Sequence, residues 1–249
     1  MGQSALPGWL RHAAKQLRDI RHVATIRRTG GAAIVATVRR ERLTYLSTPK
    51  FAGLCNVLHQ LRSRGITGDL IEAGCALGGS SIVIATLRPP GSALRIYDVF
   101  GLIPPPTADD PPDVVERYRT IAAGQSSGIG GDTYYGYIAN LEEVVTRNLD
   151  RHVPPAQRAG VTLVKGLLQD TLAVEAPVAF AHIDVDWYDP VRVSLERIVP
   201  RLVPGGSVVL DDYFDWGGCR KAADEYLSQT PVALERETRF HNLILTRPG

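Results

Sequence analysis

The sequence predicts a doubly wound, mostly parallel α/β sheet of seven strands. Three observations predict it. After residue 66, short continuous apolar runs alternate with helical patterns. Four of those runs close on an acidic residue, and a glycine-rich turn joins the first run to the first helix. Strands covered by helices on both faces read as unbroken apolar runs, the pattern of a buried parallel sheet.

The elements follow in order. Asp69–Ala73 is the first strand, and Gly79–Leu87 is the helix after its turn. Ala93–Tyr97 is the second strand, closed by Asp98. The spacing of Leu141, Val144, Val145 and Leu149 predicts a helix before the third strand, Val161–Val164. Val178–Ile183 is the fourth strand, closed by Asp184. A helix over Val191–Leu202 follows, with Val191, Leu195, Ile198 and Leu202 on one side. Pro204-Gly205-Gly206 turns the chain into a fifth strand, Ser207–Leu210, closed by Asp211-Asp212. Arg220–Leu227 is helical, and Val232–Leu234 with Asn242–Leu245 forms a closing antiparallel pair. About 60 residues separate the second and third strands, where a βα connection usually takes ~2–6. They hold Pro104-Pro105-Pro106, Asp109-Asp110-Pro111-Pro112, a stretch with four glycines over 124–131, and Tyr134, Tyr135 and Tyr137. Residues 101–140 are therefore expected to form a lid that orders over a substrate.

Composition bounds the rest. The 249 residues are 44% hydrophobic and 22% charged, which excludes disorder as the dominant state. No apolar run approaches the ~18 residues of a membrane span. Cys55, Cys75 and Cys219 stand in no metal-ligand spacing, and so few cysteines fit a reducing cytoplasm. The net charge of +2 is unevenly spread, because residues 1–42 carry nine Lys/Arg against two acids. There Leu10, Ala13, Ala14, Leu17, Ile20 and Ala24 oppose Arg11, Lys15, Arg18 and Arg21, the pattern of a basic amphipathic helix. It is expected to pack on the domain or to join a homo-oligomer; a membrane-surface anchor or targeting peptide is the alternative. Residues 1–45 are thus read as an N-terminal extension and 46–249 as the main domain. No signal-peptide or myristoylation pattern opens the chain, so a cytoplasmic protein is expected, and nothing calls for a nucleic-acid partner.

In open α/β sheets, ligands bind beyond the carboxyl ends of the strands. The turn Glu72-Ala-Gly74-Cys-Ala-Leu-Gly78-Gly79-Ser80 lets backbone approach a ligand, and Ser80 with the helix N-terminus offers donors. It is not the dinucleotide fingerprint. An acid at Glu72 would repel a pyrophosphate and suit an amino group, while Asp98 suits ribose hydroxyls. Together they describe S-adenosylmethionine, the alternative being an ordinary turn with a solvated Glu72. Asp184-Val185-Asp186 and Asp211-Asp212 end the fourth and fifth strands, and neighbouring strand ends lie ~5 Å apart. Converging carboxylates repel one another, and a hard cation relieves them: Mg²⁺, with Mn²⁺ and Ca²⁺ as alternatives. The competing reading makes them helix caps, with Asp189 before Pro190 and Asp212 or Asp215 before the last helix. His182, inside a strand, is expected to be a core histidine rather than a ligand.

The segments Glu72–Ser80, Asp98–Gly101, Lys165–Leu172, His182–Tyr188 and Pro204–Tyr213 occur in the same order as in the macrocin O-methyltransferase family, which the chain resembles over roughly residues 66–230. The resemblance implies a Rossmann-like class I methyltransferase fold, S-adenosylmethionine as donor, Mg²⁺ as assistant, and a sugar hydroxyl of a natural product as acceptor. By motif position, Asp184, Asp211 and Asp212 match its metal ligands and Asp186 its general base. Other members carry a His three residues after the first metal-binding Asp; Trp187 stands there here, which favours Asp186. Asp170 falls where the family contacts adenine. Trp187 and Tyr188 are candidates to wall the acceptor pocket, core packing being equally open. Two rival readings remain: a metal-dependent Asp-x-Asp glycosyltransferase using a nucleotide sugar, and a non-catalytic binding domain on the same fold.

Overall fold

A computed structural model describes residues 19–249. Residues 19–28 are helical (α1), followed by α2 (Ala32–Arg40) and α3 (Thr48–Arg64). The alternating part then runs β1 (Asp69–Ala73), α4 (Gly79–Leu87) and β2 (Leu94–Asp98). An insertion carries α5 (Pro112–Ala122) and two short 3₁₀ turns. It leads into α6 (Leu141–His152), α7 (Pro155–Arg158), β3 (Val161–Lys165) and α8 (Leu168–Thr171). The chain ends with β4 (Val178–Ile183), α9 (Tyr188–Ile198), β5 (Leu202–Leu210), α10 (Gly217–Gln229), β6 (Glu235–Glu237) and β7 (Leu243–Thr246).

The seven strands form one sheet in the order β3-β2-β1-β4-β5-β7-β6, and only β7 runs antiparallel to its neighbours. Alternate residues of each strand feed two cores. Leu70, Ile96, Phe180 and Val209 face α3, α4 and α6, and Ile26, Val35 and Val38 of α1 and α2 join the same cluster. Ile71, Ala181, Ile183 and Val208 face α9 and α10 through Val191, Leu195 and Ala222. Residues 19–45 therefore share the domain's core. The order reverses between β1 and β4, which opens a crevice beyond their carboxyl ends.

Several boundaries differ from expectation for physical reasons. The helix expected over Val191–Leu202 starts at Tyr188, and its last turn tightens to 3₁₀ at Val199–Arg201, because Pro200 has no N–H to continue it. Pro204-Gly205-Gly206 is not a turn. It is a bulge inside β5, where Gly205 sits at φ +77° and its N–H still bonds the Arg247 carbonyl at 2.8 Å. The first strand of the closing pair lies at Glu235–Glu237, after Val232–Leu234. Asp189 stands in the first turn of α9, whose N-cap is Trp187. Trp216, not Asp212 or Asp215, caps α10, and neither helix has a side-chain cap bond. The stretch 10–18 of the expected basic helix lies outside the described residues. Among those described, no helix is long and apolar enough to cross a membrane.

Candidate active site

A cavity of about 320 Å³ opens beyond the ends of β1 to β4. Gly74 and Asp98 line it from β1 and β2, Gly166 to Gln169 from the end of β3, and Asp184 to Trp187 from the end of β4. The insertion covers it with Ile103, Pro104, Pro105, Thr107, Asp110 and Tyr135. This cover is anchored. Trp187 Nε1 donates to the Pro104 carbonyl at 2.9 Å, and Asp110 accepts from the Tyr188 N–H at 2.8 Å and the Thr107 N–H at 3.0 Å. Trp187 therefore does wall the pocket, whereas Tyr188 points away and donates its hydroxyl to Glu225 at 2.5 Å.

At one end, Asp98 is fixed by two backbone donors, Cys75 N–H at 2.8 Å and Phe100 N–H at 2.7 Å. Burial raises its pKa, and those N–H groups pull it back by favouring the anion. The Cys75 thiol and the Ala76 N–H favour its anion as well. Gly74 carries φ +82°, and a Cβ there would stand 2.0 Å from the Asp184 carbonyl oxygen. Only glycine lets β1 and β4 approach so closely at the crevice.

Other residues expected at the donor site lie elsewhere. Glu72 is fully buried on the α4 face. One carboxylate oxygen accepts from the Ser81 hydroxyl and the other stands 3.1 Å from His182 Nδ1, so Glu72 does not reach the cavity. The alternation of β1 explains this, because Glu72 shares the face of Leu70 rather than pointing out of the strand end. Gly78, Gly79 and Ser80 lie outside the lining. The Gly79 N–H is taken by the Leu43 carbonyl at 3.0 Å, and residues 43–44 pack over that turn. Asp170 is exposed on α8, while its neighbour Gln169 lines the cavity.

At the other end, Asp184, Asp186 and Asp212 bring one carboxylate oxygen each within 4.8 Å of one another. Burial pushes all three pKa values up, and the neighbouring carboxylates push further: Asp211 and Asp212 on Asp184, Asp212 on Asp186, and Asp211 on Asp212. Asp212 Oδ2 is buried with no hydrogen-bond partner. Asp186 sits at φ +57° in a three-residue turn closed by the Trp187 N–H on the Val185 carbonyl at 2.6 Å. Such backbone is strained for a residue with a Cβ and aims the carboxylate into the cavity.

Asp211, also expected among the ligands, lies beside that group. Following Val209 on its strand face, it points to the α3 side, where Lys50 Nζ stands 2.6 Å from its Oδ2. Lys50 also lies 2.6 Å from Asp215 Oδ2 and 3.7 Å from Asp212 Oδ1. Burial opposes the Lys50 charge, but Asp211 and Asp212 override it and hold the ammonium protonated. Asp211 Oδ1 faces His182 Nε2 at 3.8 Å. His182 is a core histidine, 0% exposed: burial pushes its pKa down, yet Asp211 and Glu72 raise it to about 10. Asp211 thus sits between Lys50 and His182, beside the group that Asp184, Asp186 and Asp212 form. Lys50 carries no local sequence signal, since it reaches Asp211 from 161 residues away.

Residues 43–235 match the family described as macrocin-O-methyltransferase (TylF). The 8-demethyl-8-(2,3-dimethoxy-alpha-L-rhamnosyl)-tetracenomycin-C 4'-O-methyltransferase of Streptomyces olivaceus is 33% identical over 168 residues, 65% of this chain and 59% of that protein. The chain thus spans under two thirds of that relative's length. The demethyldecarbamoylnovobiocin O-methyltransferase of Streptomyces niveus is 25% identical over 201 residues, 77% of this chain and 70% of that protein. The structure of the O-methyltransferase NovP superposes with a TM-score of 0.67 at 21% identity, over 83% of each chain.

Proposed function

This chain belongs to the macrocin-O-methyltransferase (TylF) family, and from that membership we propose that it moves the methyl group of S-adenosylmethionine to a sugar hydroxyl of a glycosylated natural product, assisted by Mg²⁺. The observation that carries the proposal is one cavity with Asp98 at one end and the paired acids Asp184 and Asp186 at the other. Asp98 accepts from the ribose hydroxyls, and Gly166 to Gln169 wall the adenine. The relative named for 4'-O-methylation of a rhamnosyl-tetracenomycin favours a glycosylated acceptor.

The acid cluster fits a hard dication: the Asp212 Oδ2 orphan needs a positive partner, and three carboxylates, one buried and two half-buried, with no Cys or His among them suit Mg²⁺. Asp184 and Asp212 would hold the ion, with Asp186 in reach of both ion and cavity. When bound, Mg²⁺ supplies a positive field that stabilises charge developing on an acceptor oxygen. Asp186 takes the hydroxyl proton on its cavity-facing carboxylate oxygen, a general-base step worth ~10²–10⁴-fold. Trp187 and the Pro104 segment keep the cover closed, excluding water and orienting the two substrates.

The test combines binding with turnover. S-adenosylhomocysteine raises the melting midpoint while UDP-sugars leave it unchanged, and methylation of a glycosylated acceptor stops in EDTA and returns with Mg²⁺. A midpoint unmoved by S-adenosylhomocysteine refutes the donor, and full turnover in chelator refutes the metal.

A further inference from the structure

We infer that Asp110 is a positioning residue for the reaction: from the cover, it holds the strained turn that presents Asp186 to the cavity. The inference rests on the reading of Asp186 as base and goes beyond it. Three acids at the start of α5 reach across to the first turns of α9 and α10. Asp110 Oδ1 accepts from the Tyr188 N–H at 2.8 Å, and Asp113 Oδ2 accepts from the Gly217 N–H at 2.9 Å. Lys221 of α10 donates to the Asp109 carbonyl at 2.8 Å and to its carboxylate at 3.1 Å. Asp109 and Asp113 are exposed, whereas Asp110 is only 8% exposed. The Thr107 N–H, 3.0 Å from Asp110 Oδ2, fixes that carboxylate from within the cover, so its other oxygen is aimed at Tyr188.

Tyr188 is the second residue after Asp186. Asp186 sits at φ +57°, and a residue with a Cβ stays there only where its surroundings over-determine it. Before the turn the sheet does so, with the Asp184 N–H on the Ala73 carbonyl at 2.8 Å. After the turn the cover does so, since both following residues bond to it: Trp187 Nε1 to the Pro104 carbonyl and the Tyr188 N–H to Asp110. The first turn of α10 closes against the same point. A Cβ on Gly218 would stand 2.6 Å from Asp110 Oδ1, 2.9 Å from the Tyr188 nitrogen and 3.2 Å from the Asp186 carbonyl oxygen. Cover, base turn and α10 therefore meet with no room for a methyl group. The base is aligned while the cover is docked and loses its alignment when the cover lifts, which ties proton removal to an enclosed acceptor.

The test begins with crystals of the full chain grown with S-adenosylhomocysteine, which need no acceptor. In Asp110→Ala, Asp186 leaves the left-handed region and its carboxylate turns from the cavity. If that variant fails to fold, Gly218→Ala parts Asp110 from the Tyr188 N–H by another route and moves Asp186 in the same way. Asp110→Asn keeps an oxygen for the Tyr188 N–H and leaves Asp186 in place. An Asp186 that stays near φ +57° in Asp110→Ala and Gly218→Ala overturns the inference. Kinetics with the glycosylated acceptor methylated by the wild type in the EDTA and Mg²⁺ assay then separates positioning from mere cover. Asp110→Ala lowers kcat about 10–100-fold with the acceptor KM changed less than about threefold, and Asp110→Asn recovers most of the loss. In an Asp186→Asn background, Asp110→Ala lowers kcat no further, because its effect runs through Asp186. Equal losses in both backgrounds assign Asp110 to the cover alone and overturn the inference. Full kcat in Asp186→Asn overturns the base reading and the catalytic part of the inference with it, and the crystals tell that failure apart from failure of the hold itself.

Discussion

Gly74→Ala and Gly91→Ala separate backbone strain from the crossing that builds the cavity. Both glycines have nearly the same left-handed backbone, φ +82° at Gly74 and φ +80° at Gly91. A Cβ at Gly91 meets nothing within 4 Å, so alanine there costs only the left-handed conformation, about 1 kcal/mol. A Cβ at Gly74 lands 2.0 Å from the Asp184 carbonyl oxygen and 2.9 Å from its carbon. That neighbour is backbone, tied to β1 by the Asp184 N–H on the Ala73 carbonyl at 2.8 Å, and it cannot rotate away. Overpacking against it adds about 3 kcal/mol, for a total of about 4 kcal/mol. At roughly 3 °C per kcal/mol for a chain of this size, Gly91→Ala melts about 3 °C lower and Gly74→Ala about 12 °C lower by circular dichroism. Because Gly74 and Asp184 both line the cavity, Gly74→Ala also weakens S-adenosylhomocysteine binding, and Gly91→Ala does not. Equal melting points for the two variants would refute the close crossing.

Other outcomes are expected with it. Asp186→Asn keeps the side-chain shape and removes the base: kcat falls at least ~10²-fold with S-adenosylhomocysteine binding intact, and rescue by excess Mg²⁺ would reassign Asp186 as a ligand alone. Asp98→Ala weakens S-adenosylhomocysteine by about 10–100-fold in calorimetry and also lowers the melting point, because the Cys75 and Phe100 N–H groups lose their acceptor. His182 titrates higher folded than unfolded, about 10 against the usual 6.5, so its contribution to stability is full below pH 6.5 and lost as pH rises towards 10. His182→Gln should flatten the melting curve against pH across that window; an unchanged slope would mean that His182 is neutral.

The parallel sheet was legible because β1 and β4 are almost wholly buried and therefore mostly apolar, and Gly74 marks the end of β1. α3 was not read, although Pro49 at its start and Gly65 at φ +65° past its end are ordinary helix signals. Ten of its residues are buried, Lys50 and Asn56 among them, which blurs the amphipathic pattern. α5 hid inside the expected lid because only Val114 and Ile121 of its residues are buried. In the site, strand ends pointed to carboxylates that lie together: Asp98, Asp184 and Asp186 line the crevice, and Asp212 adjoins the last two. What failed was facing. Glu72 lies in β1 and Asp211 directly follows β5, and the alternation turns both towards α3 and α4, where their partners Ser81, His182 and Lys50 come from three other elements. A sequence reading that locates strand ends to within a residue cannot tell which of two adjacent acids faces the cavity, since one step reverses the face.

The claim that one cavity joins donor and acid cluster is tested most directly by crystals grown with S-adenosylhomocysteine and Mn²⁺, with an anomalous difference map at the manganese edge. The account predicts a single strong peak at the acid cluster beyond β4 and β5, with the ribose hydroxyls on Asp98. No peak at that cluster, or S-adenosylhomocysteine bound away from Asp98, would contradict it.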